Sequence, residues 1–263
     1  MDIRNKVIWI TGASSGIGEA LAYKLNELGA KLILSSRNRE SLYVVKSKCK
    51  INQLDIHILP LDLENTDSLK EVTASAIKIF NRVDLIIHSG GVSQRSLALE
   101  TDLNVAQRIM NINFWGTVAL TQSILPFMLS NNTGHIVVIS SLVGKFGTKF
   151  RSAYSASKHA LHGYFDSLRT EIDPKIKISI ICPGFIKTNV TINALTADGT
   201  KQNSMDDAQA NGMPAELCAL EIIKAIQAEK EEVYVGGKEK YAVLLKRFLP
   251  GLFSKIVRKA KVT

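Results

Sequence analysis

Lys6–Gly18, KVIWITGASSGIG, is the stretch that decides the fold. Lys6–Thr11 is a short apolar run rich in β-branched residues, which reads as a buried parallel strand. It runs straight into Gly12, Ser14, Ser15, Gly16, Ile17 and Gly18. A helical pattern, EALAYKLNEL, follows and stops at Gly29. A glycine-rich turn between strand and helix lets backbone approach a pyrophosphate, and the helix N-terminus offers N–H donors and a positive dipole end. The spacing is Gly-x-x-x-Gly-x-Gly, looser than the fingerprint of the larger dinucleotide-binding enzymes. Its place after a strand and before a helix gives the turn its weight.

Working outward, the same alternation repeats. Lys31–Ser35 reads as a second strand, 55–59 as a third, Asp84–Ile87 as a fourth, His135–Ser140 as a fifth, Lys177–Cys182 as a sixth and Glu232–Val235 as a short seventh. Helices are expected over 66–79, 102–128 and 151–172. This pattern predicts an α/β fold: one doubly wound, seven-stranded parallel sheet flanked by helices, with right-handed crossovers. No repeat, linker or low-complexity tract divides the chain, so 1–263 reads as a single domain.

At the end of the second strand an NAD site usually presents an acid to the ribose 2′-hydroxyl, whereas a 2′-phosphate calls for arginine. Ser35-Ser36-Arg37-Asn38-Arg39 contains no acid. Arg37 therefore points to NADP(H), since a guanidinium pairs well with phosphate. Asp62, after the third strand, is placed to meet an adenine amine.

Arg151–Gly163, RSAYSASKHALHG, holds Tyr154 and Lys158 four residues apart, on one face of a helix. An ammonium beside a phenol favours the phenolate, so the tyrosine pKa is expected to fall toward working pH. Such a tyrosine exchanges a proton with a carbonyl or hydroxyl oxygen. Ser141 lies just past the carboxyl end of the fifth strand, where open α/β sheets bind ligands. Asn113, a poor helix former, sits in mid-helix.

Five motifs in this order, TGASSGIG (11–18), Asn111-x-Asn113-x-x-Gly116, Ser141, Tyr154-x-x-x-Lys158 and PGFIKT (183–188), resemble the short-chain dehydrogenase/reductase family over nearly the whole chain. FRSAYSASKHA, NALTADGT and LLKRFLPGLF are similar to its dehydrogenase/reductase 7B-type subgroup. The resemblance implies a Rossmann-like domain and hydride transfer by a nicotinamide cofactor. Tyr154 would be the general acid/base, Lys158 its pKa-lowering neighbour and ribose ligand, Ser141 the partner of the substrate oxygen, and Asn113 the holder of a relay water. Cofactor contacts would come from Gly12, Ser14, Ser15, Gly16, Ile17, Gly18, Arg37, Asp62, Leu63, Ser89, Gly90, Gly91, Tyr154, Lys158, Pro183, Gly184, Ile186 and Thr188. Gly184 would clear room for the nicotinamide and Thr188 reach its carboxamide. One departure stands out. The family's Asn-Asn-Ala-Gly is here His88-Ser89-Gly90-Gly91, and Ser89 replaces only part of the strand-tying role of the second Asn. The family also implies a homodimer or homotetramer through the helices at 102–128 and 151–172.

Residues 189–213 are polar and contain glycine, which reads as a mobile substrate lid. Val143, Phe146, Phe150 and Phe185 either line an apolar pocket or pack as core. In the C-terminal segment, 238–263, Leu244, Phe248, Leu252 and Ile256 recur every four residues. Lys246, Arg247, Lys255, Arg258, Lys259 and Lys261 surround them. Such a segment lies on an anionic membrane surface, or packs on its own or a partner subunit. The membrane reading favours a lipophilic carbonyl or alcohol as substrate.

The net charge of +9 raises nucleic-acid binding, but no interleaved aromatic pattern supports it. Cys49, Cys182 and Cys218 show neither disulfide nor zinc spacing, and the histidines show no metal pattern. No signal peptide and no apolar run long enough to span a bilayer is read, so the expected location is the cytoplasm, with peripheral membrane contact. A rival reading is a catalytically silent dinucleotide-binding protein that regulates a membrane or protein partner. Retention of Asn113, Ser141, Tyr154 and Lys158 together argues against it.

Overall fold

Val7–Thr11 (β1) lies in the interior of the sheet and is wholly buried in the computed structural model, which describes residues 1–260. Alternate side chains of a strand point to opposite faces. Ile8 and Ile10 enter one core layer, while Val7 and Trp9 enter the other. Both faces are covered, which is why the strand is apolar throughout rather than alternating.

The other strands are Lys31–Ser35 (β2), Ile56–Ile58 (β3), Leu85–His88 (β4), Gly134–Ile139 (β5), Ile176–Pro183 (β6) and Glu232–Val235 (β9), the seventh in the sheet. They pair in the order β3-β2-β1-β4-β5-β6-β9, every neighbour parallel. The reversal of strand order beside β1 and β4 opens a crevice at their carboxyl ends. One face packs Gly16–Glu27 (α1), Arg39–Lys48 (α2) and Ala215–Gln227 (α8). The other packs Leu69–Phe80 (α3), Gly116–Ser130 (α5) and Ser152–Glu171 (α6). The α/β fold with seven parallel strands is as the alternation predicts.

Three differences from the sequence reading have clear causes. The helix expected over 102–128 is Leu103–Met110 (α4), a π-helical turn at Asn111–Trp115, and α5. The wide turn buries Ile112, Asn113 and Phe114 together, and π-turns of this kind recur at functional sites. Gly116, directly after it, lies so close to the Leu63 carbonyl that a Cβ would collide there. The run 103–130 also meets the length and hydropathy of a bilayer span, contrary to the expectation that no segment would. Half of that window is buried in the fold and it carries the buried Asn113, as befits a core helix. Finally, a two-stranded parallel pair, Ile186–Lys187 (β7) with Met213–Pro214 (β8), brackets a short helix Asp207–Ala210 (α7) in the lid.

The C-terminal segment forms Ala242–Phe248 (α9) and Pro250–Lys259 (α10), the latter started by proline at its first position. One stripe packs inward: Phe253 is buried with its ring 5.2 Å from that of Phe146. Leu245 and Val257 pack on the same core layer. The stripe of Leu244, Phe248, Leu252 and Ile256 is exposed. The two sequence alternatives thus describe two faces of one segment. Lys261 lies outside the described residues.

Candidate active site

A cavity of about 890 Å³ runs across the carboxyl ends of the strands. Its floor is the glycine-rich turn. Gly12 has φ +66°, and a Cβ there would come within 2.7 Å of the Gly90 backbone. Only glycine permits both the left-handed conformation and that approach. A Cβ on Gly18 would strike the Gly12 carbonyl. Ser15, at the N-cap of α1, makes no side-chain capping bond, so the first-turn N–H groups face the cavity without a cap. With Ser14, Gly16 and Ile17 on the same wall, the turn fits a pyrophosphate.

At the β2 end, Ser35 is accounted for internally: it accepts a hydrogen bond from Trp9 Nε1 at 2.8 Å and donates to the Leu59 carbonyl at 2.5 Å. Arg37 is exposed at the cavity rim beside Ser36 and Asn38, with no acid there. Asp62 and Leu63 line the adjoining wall. Gly90 abuts Leu63, whose Cδ1 would lie 2.6 Å from a Cβ at that position. The strand tie expected of Ser89 comes instead from Thr11, whose Oγ1 donates to the Ile87 carbonyl (3.5 Å) and accepts from Gly90 N (3.3 Å). His88, expected to be structural, is buried against Thr121 Oγ1 at 3.0 Å. Burial drives its pKa down to about 3, so it stays neutral.

The four residues expected to carry the chemistry converge at the far end of the cavity. Ser141, Tyr154 and Lys158 line it, and Asn113 stands behind Gly91, where a Cβ would meet Asn113 Oδ1 at 3.0 Å and Lys158 Nζ at 3.8 Å. Asn113 donates through Nδ2 to Val92 O (2.9 Å) and Ser157 Oγ (3.0 Å), and accepts from Val92 N (2.8 Å). Both amide donors are therefore engaged in strapping the β4 loop to α6. Lys158 lies over the Tyr154 ring, one turn along the helix as the four-residue spacing predicts. Its ammonium donates to Ile139 O at 2.8 Å and lies 5.8 Å from the tyrosine ring centre. Burial lowers the Lys158 pKa to about 8. The Tyr154 phenol is pushed up, not down, by burial, although its ring edge meets the cavity. The opposing influences come from the Arg151 charge, a hydrogen bond from Ser141, and the Arg95 charge.

Pro183, Gly184, Phe185, Ile186 and Thr188 form the opposite lip. Gly184 stands on the cavity wall, with the Glu239 carboxylate at the position its Cβ would take. Glu239 accepts from Gly237 N at 3.0 Å and Phe185 N at 3.3 Å, fastening the C-terminal segment to the loop after β6. Thr188 packs over Gly16, joining this lip to the phosphate turn. Val143, Phe146 and Phe185 line the cavity with Leu245, Phe253 and Ile256, giving its outer part an apolar wall. Phe150 is absent from that lining and instead takes a left-handed backbone, φ 65°.

The lid is fastened more firmly than its polar composition suggests. Thr191, Ala194, Leu195, Asp206 and Gln209 are buried. Leu195 exchanges backbone hydrogen bonds with Ser93 and Arg95 at 2.9 and 2.8 Å. Sequence reasoning also missed Gln94, fully buried, whose Oε1 caps the Tyr154 helix by accepting from Ala153 N at 2.8 Å and Tyr154 N at 3.3 Å. A glutamine in a loop gives no periodic signal, and its partners lie some sixty residues away.

A cradle for phosphate, a rim arginine and a Ser–Tyr–Lys cluster share one cavity. Residues 6–199 match the family described as short chain dehydrogenase. The chain belongs to the short-chain dehydrogenase/reductase family. It is 39% identical to dehydrogenase/reductase SDR family member 7B of Danio rerio, covering 97% of this chain and 85% of that relative. It is 38% identical to family member 7 of Homo sapiens, over 89% of this chain and 71% of the other. Among solved structures, a short-chain dehydrogenase/reductase from Burkholderia phymatum in complex with NAD superposes with a TM-score of 0.85 at 22% identity, covering 96% of both chains. One from Burkholderia cenocepacia in complex with NADP gives 0.81 at 20% identity, over 99% of this chain and all of the other. At these identities the superpositions establish the shared fold.

Proposed function

We propose that this short-chain dehydrogenase/reductase is NADP(H)-dependent and interconverts a carbonyl and a secondary alcohol on a lipophilic small molecule. The observation that carries the reading is the meeting of Ser141 and Tyr154 hydroxyls with Lys158 in the cavity whose other end is the glycine-rich turn. When bound, the dinucleotide supplies the hydride. Ser141 holds the substrate oxygen, and Tyr154 gives that oxygen its proton during reduction or takes it during oxidation. Lys158 fits the nicotinamide ribose hydroxyls. The apolar outer wall supports a lipophilic substrate.

The deciding experiment is NADPH oxidation against a panel of lipophilic and polar ketones. Turnover of a ketone supports the reading. Tight NADPH binding without turnover across the panel would favour a silent dinucleotide-binding protein. Arg37 supports NADP(H) over NAD(H). Arg37→Ala is expected to raise the NADPH Kd about tenfold, the loss of one exposed charge-assisted contact, with NADH affinity unchanged. Equal effects on both cofactors, measured by fluorescence titration, would remove Arg37 from that role.

Membrane contact belongs to the same reading. Leu244, Phe248, Leu249, Leu252 and Ile256 are exposed on α9 and α10, and no acidic residue occurs from Ala242 onward. Arg247, Lys255, Arg258 and Lys259 flank them, a complement to anionic lipid. Ile256 also lines the cavity, so the apolar stripe reaches the substrate entrance. Sedimentation with phosphatidylserine-containing vesicles is expected to be lost in Phe248→Ser/Leu252→Ser and with neutral vesicles. Binding unchanged by either would remove the membrane from this reading. The three buried thiols suit a reducing cytoplasm. Association into a dimer or tetramer is supported by Leu103 and Trp115, exposed on the helical run that carries Asn113.

A further inference from the structure

The chain after β9 turns back onto the end of β6 and sets a carboxylate into the cavity wall. Gly236 and Gly237 lead into a 3₁₀ turn at Lys238–Tyr241, which carries the half-buried Glu239. Three glycines enclose its carboxylate. Oε1 takes the place that a Cβ on Gly184 would need, and it would lie 2.6 Å from a Cβ on Gly236. Oε2 would lie 2.8 Å from a Cβ on Gly237. Gly236 has φ +148°, a backbone that other residues rarely adopt. Both hydrogen bonds land on Oε1, from Gly237 N at 3.0 Å and from Phe185 N at 3.3 Å. Among the described residues Glu239 joins no ion pair.

Carbonyl reduction delivers hydride to the carbon and a proton to the oxygen of one C=O group, so both donors must meet at the same place. Ser141 and Tyr154 mark where that oxygen sits. Ser141 Oγ is 3.3 Å from the Pro183 carbonyl. A reacting nicotinamide ring therefore belongs beside Pro183 and Gly184, on the wall that Glu239 shares. A hydride carries two electrons with one proton, so the ring that gives it up gains one positive charge. A nearby carboxylate attracts that charged ring and finds no such charge on the reduced one. The cations of this end of the cavity act in the opposite sense. Lys158 is directed to Ile139 O at 2.8 Å, and Arg151 is 3.5 Å from Asp206.

We propose that Glu239 is a cofactor-binding residue whose charge favours the oxidised, cationic nicotinamide over the reduced, neutral one. The inference rests on this cavity binding a nicotinamide dinucleotide, as the proposed function requires. The same charge eases departure of the hydride, because positive charge grows on the ring as the carbonyl carbon receives it and Tyr154 protonates the oxygen. A clasp that only fastened the C-terminal segment to the loop after β6 would need the acceptor oxygen of Glu239 and not its charge. Glutamine carries the same acceptor without the charge, which separates the two roles.

The test is the ratio of the dissociation constants of NADP⁺ and NADPH, titrated by fluorescence on the full chain, with NAD⁺ and NADH run alongside. The phosphates are common to both oxidation states, so the ratio isolates the charge on the ring. In Glu239→Gln the NADP⁺ Kd is expected to rise about tenfold, with the NADPH Kd within about twofold of wild type. Glu239→Asp, which keeps the charge, holds the ratio closer to wild type than Glu239→Gln does. A clasp alone moves both constants together or neither, and either result overturns the proposal. Should Glu239→Gln fail to fold, the wild-type ratio decides: NADP⁺ bound at least as tightly as NADPH supports the proposal, and tighter binding of NADPH overturns it. Wild type that binds neither cofactor in either form would sink the proposed function and this inference together. A ratio shifted only for NAD⁺ and NADH would remove the NADP(H) preference, and a shifted ratio without ketone turnover would remove the proposed reaction. Both leave this inference standing.

Discussion

Tyr154→Phe is expected to lower ketone reduction by roughly 10²–10⁴-fold, the usual worth of a positioned proton donor, with NADPH affinity unchanged. The substitution removes one oxygen and keeps the ring, which packs against the same core layer as Phe165 and Leu161. Ser141 is not expected to replace the phenol, because an aliphatic hydroxyl is too weak an acid to give up its proton near neutral pH. Single-turnover oxidation of bound NADPH isolates the chemical step from product release. A loss smaller than about tenfold would place the proton donor elsewhere in the cavity.

The second large effect is structural and falls on a residue outside the family motifs. Gln94→Leu is expected to destabilise the protein by about 3 kcal/mol and to cut turnover with it. Leucine has nearly the volume of glutamine, so no large cavity opens. What disappears is the acceptor for Ala153 N and Tyr154 N, together with the donor to Thr101 Oγ1 (2.9 Å), Ser96 Oγ and Ser152 Oγ (both 3.2 Å). Each buried polar group left without a partner costs about 1–3 kcal/mol. The two amides belong to the first turn of α6, so fraying there displaces Tyr154 itself. Urea unfolding and turnover, measured on the same preparation, check both parts. A stability loss under about 1 kcal/mol would mean that water takes over the lost hydrogen bonds.

These two residues show how differently parts of the site are written into the chain. Tyr154 is legible because its partner Lys158 is four residues away and helical periodicity fixes their common face. Gly12, Gly16 and Gly18 are legible because a glycine-rich turn after a buried strand has few other uses. Arg37 is legible through the missing acid beside it. Gln94, Arg95, Asp206 and Glu239 have no comparable signal. Each acts on residues brought near by the sheet, across loops that no local pattern connects.

The seven parallel strands, their alternation with helices, and the residues that gather at the carboxyl end of the sheet are all written locally along the chain. Apolar strand runs, turn glycines and helical spacing are local properties, and they survive without knowledge of the neighbours. Tertiary packing alone sets how the gathered groups are wired. It directs the Lys158 ammonium to Ile139 O, occupies both amide donors of Asn113, widens the helix at 111–115 and places two arginines on one lid carboxylate. The physical reason is that charge, burial and hydrogen bonding depend on distances between segments far apart in the chain. It likewise split the C-terminal segment into a stripe packed on the core around Phe253 and a stripe around Phe248 left bare, a division that four-residue periodicity alone leaves open.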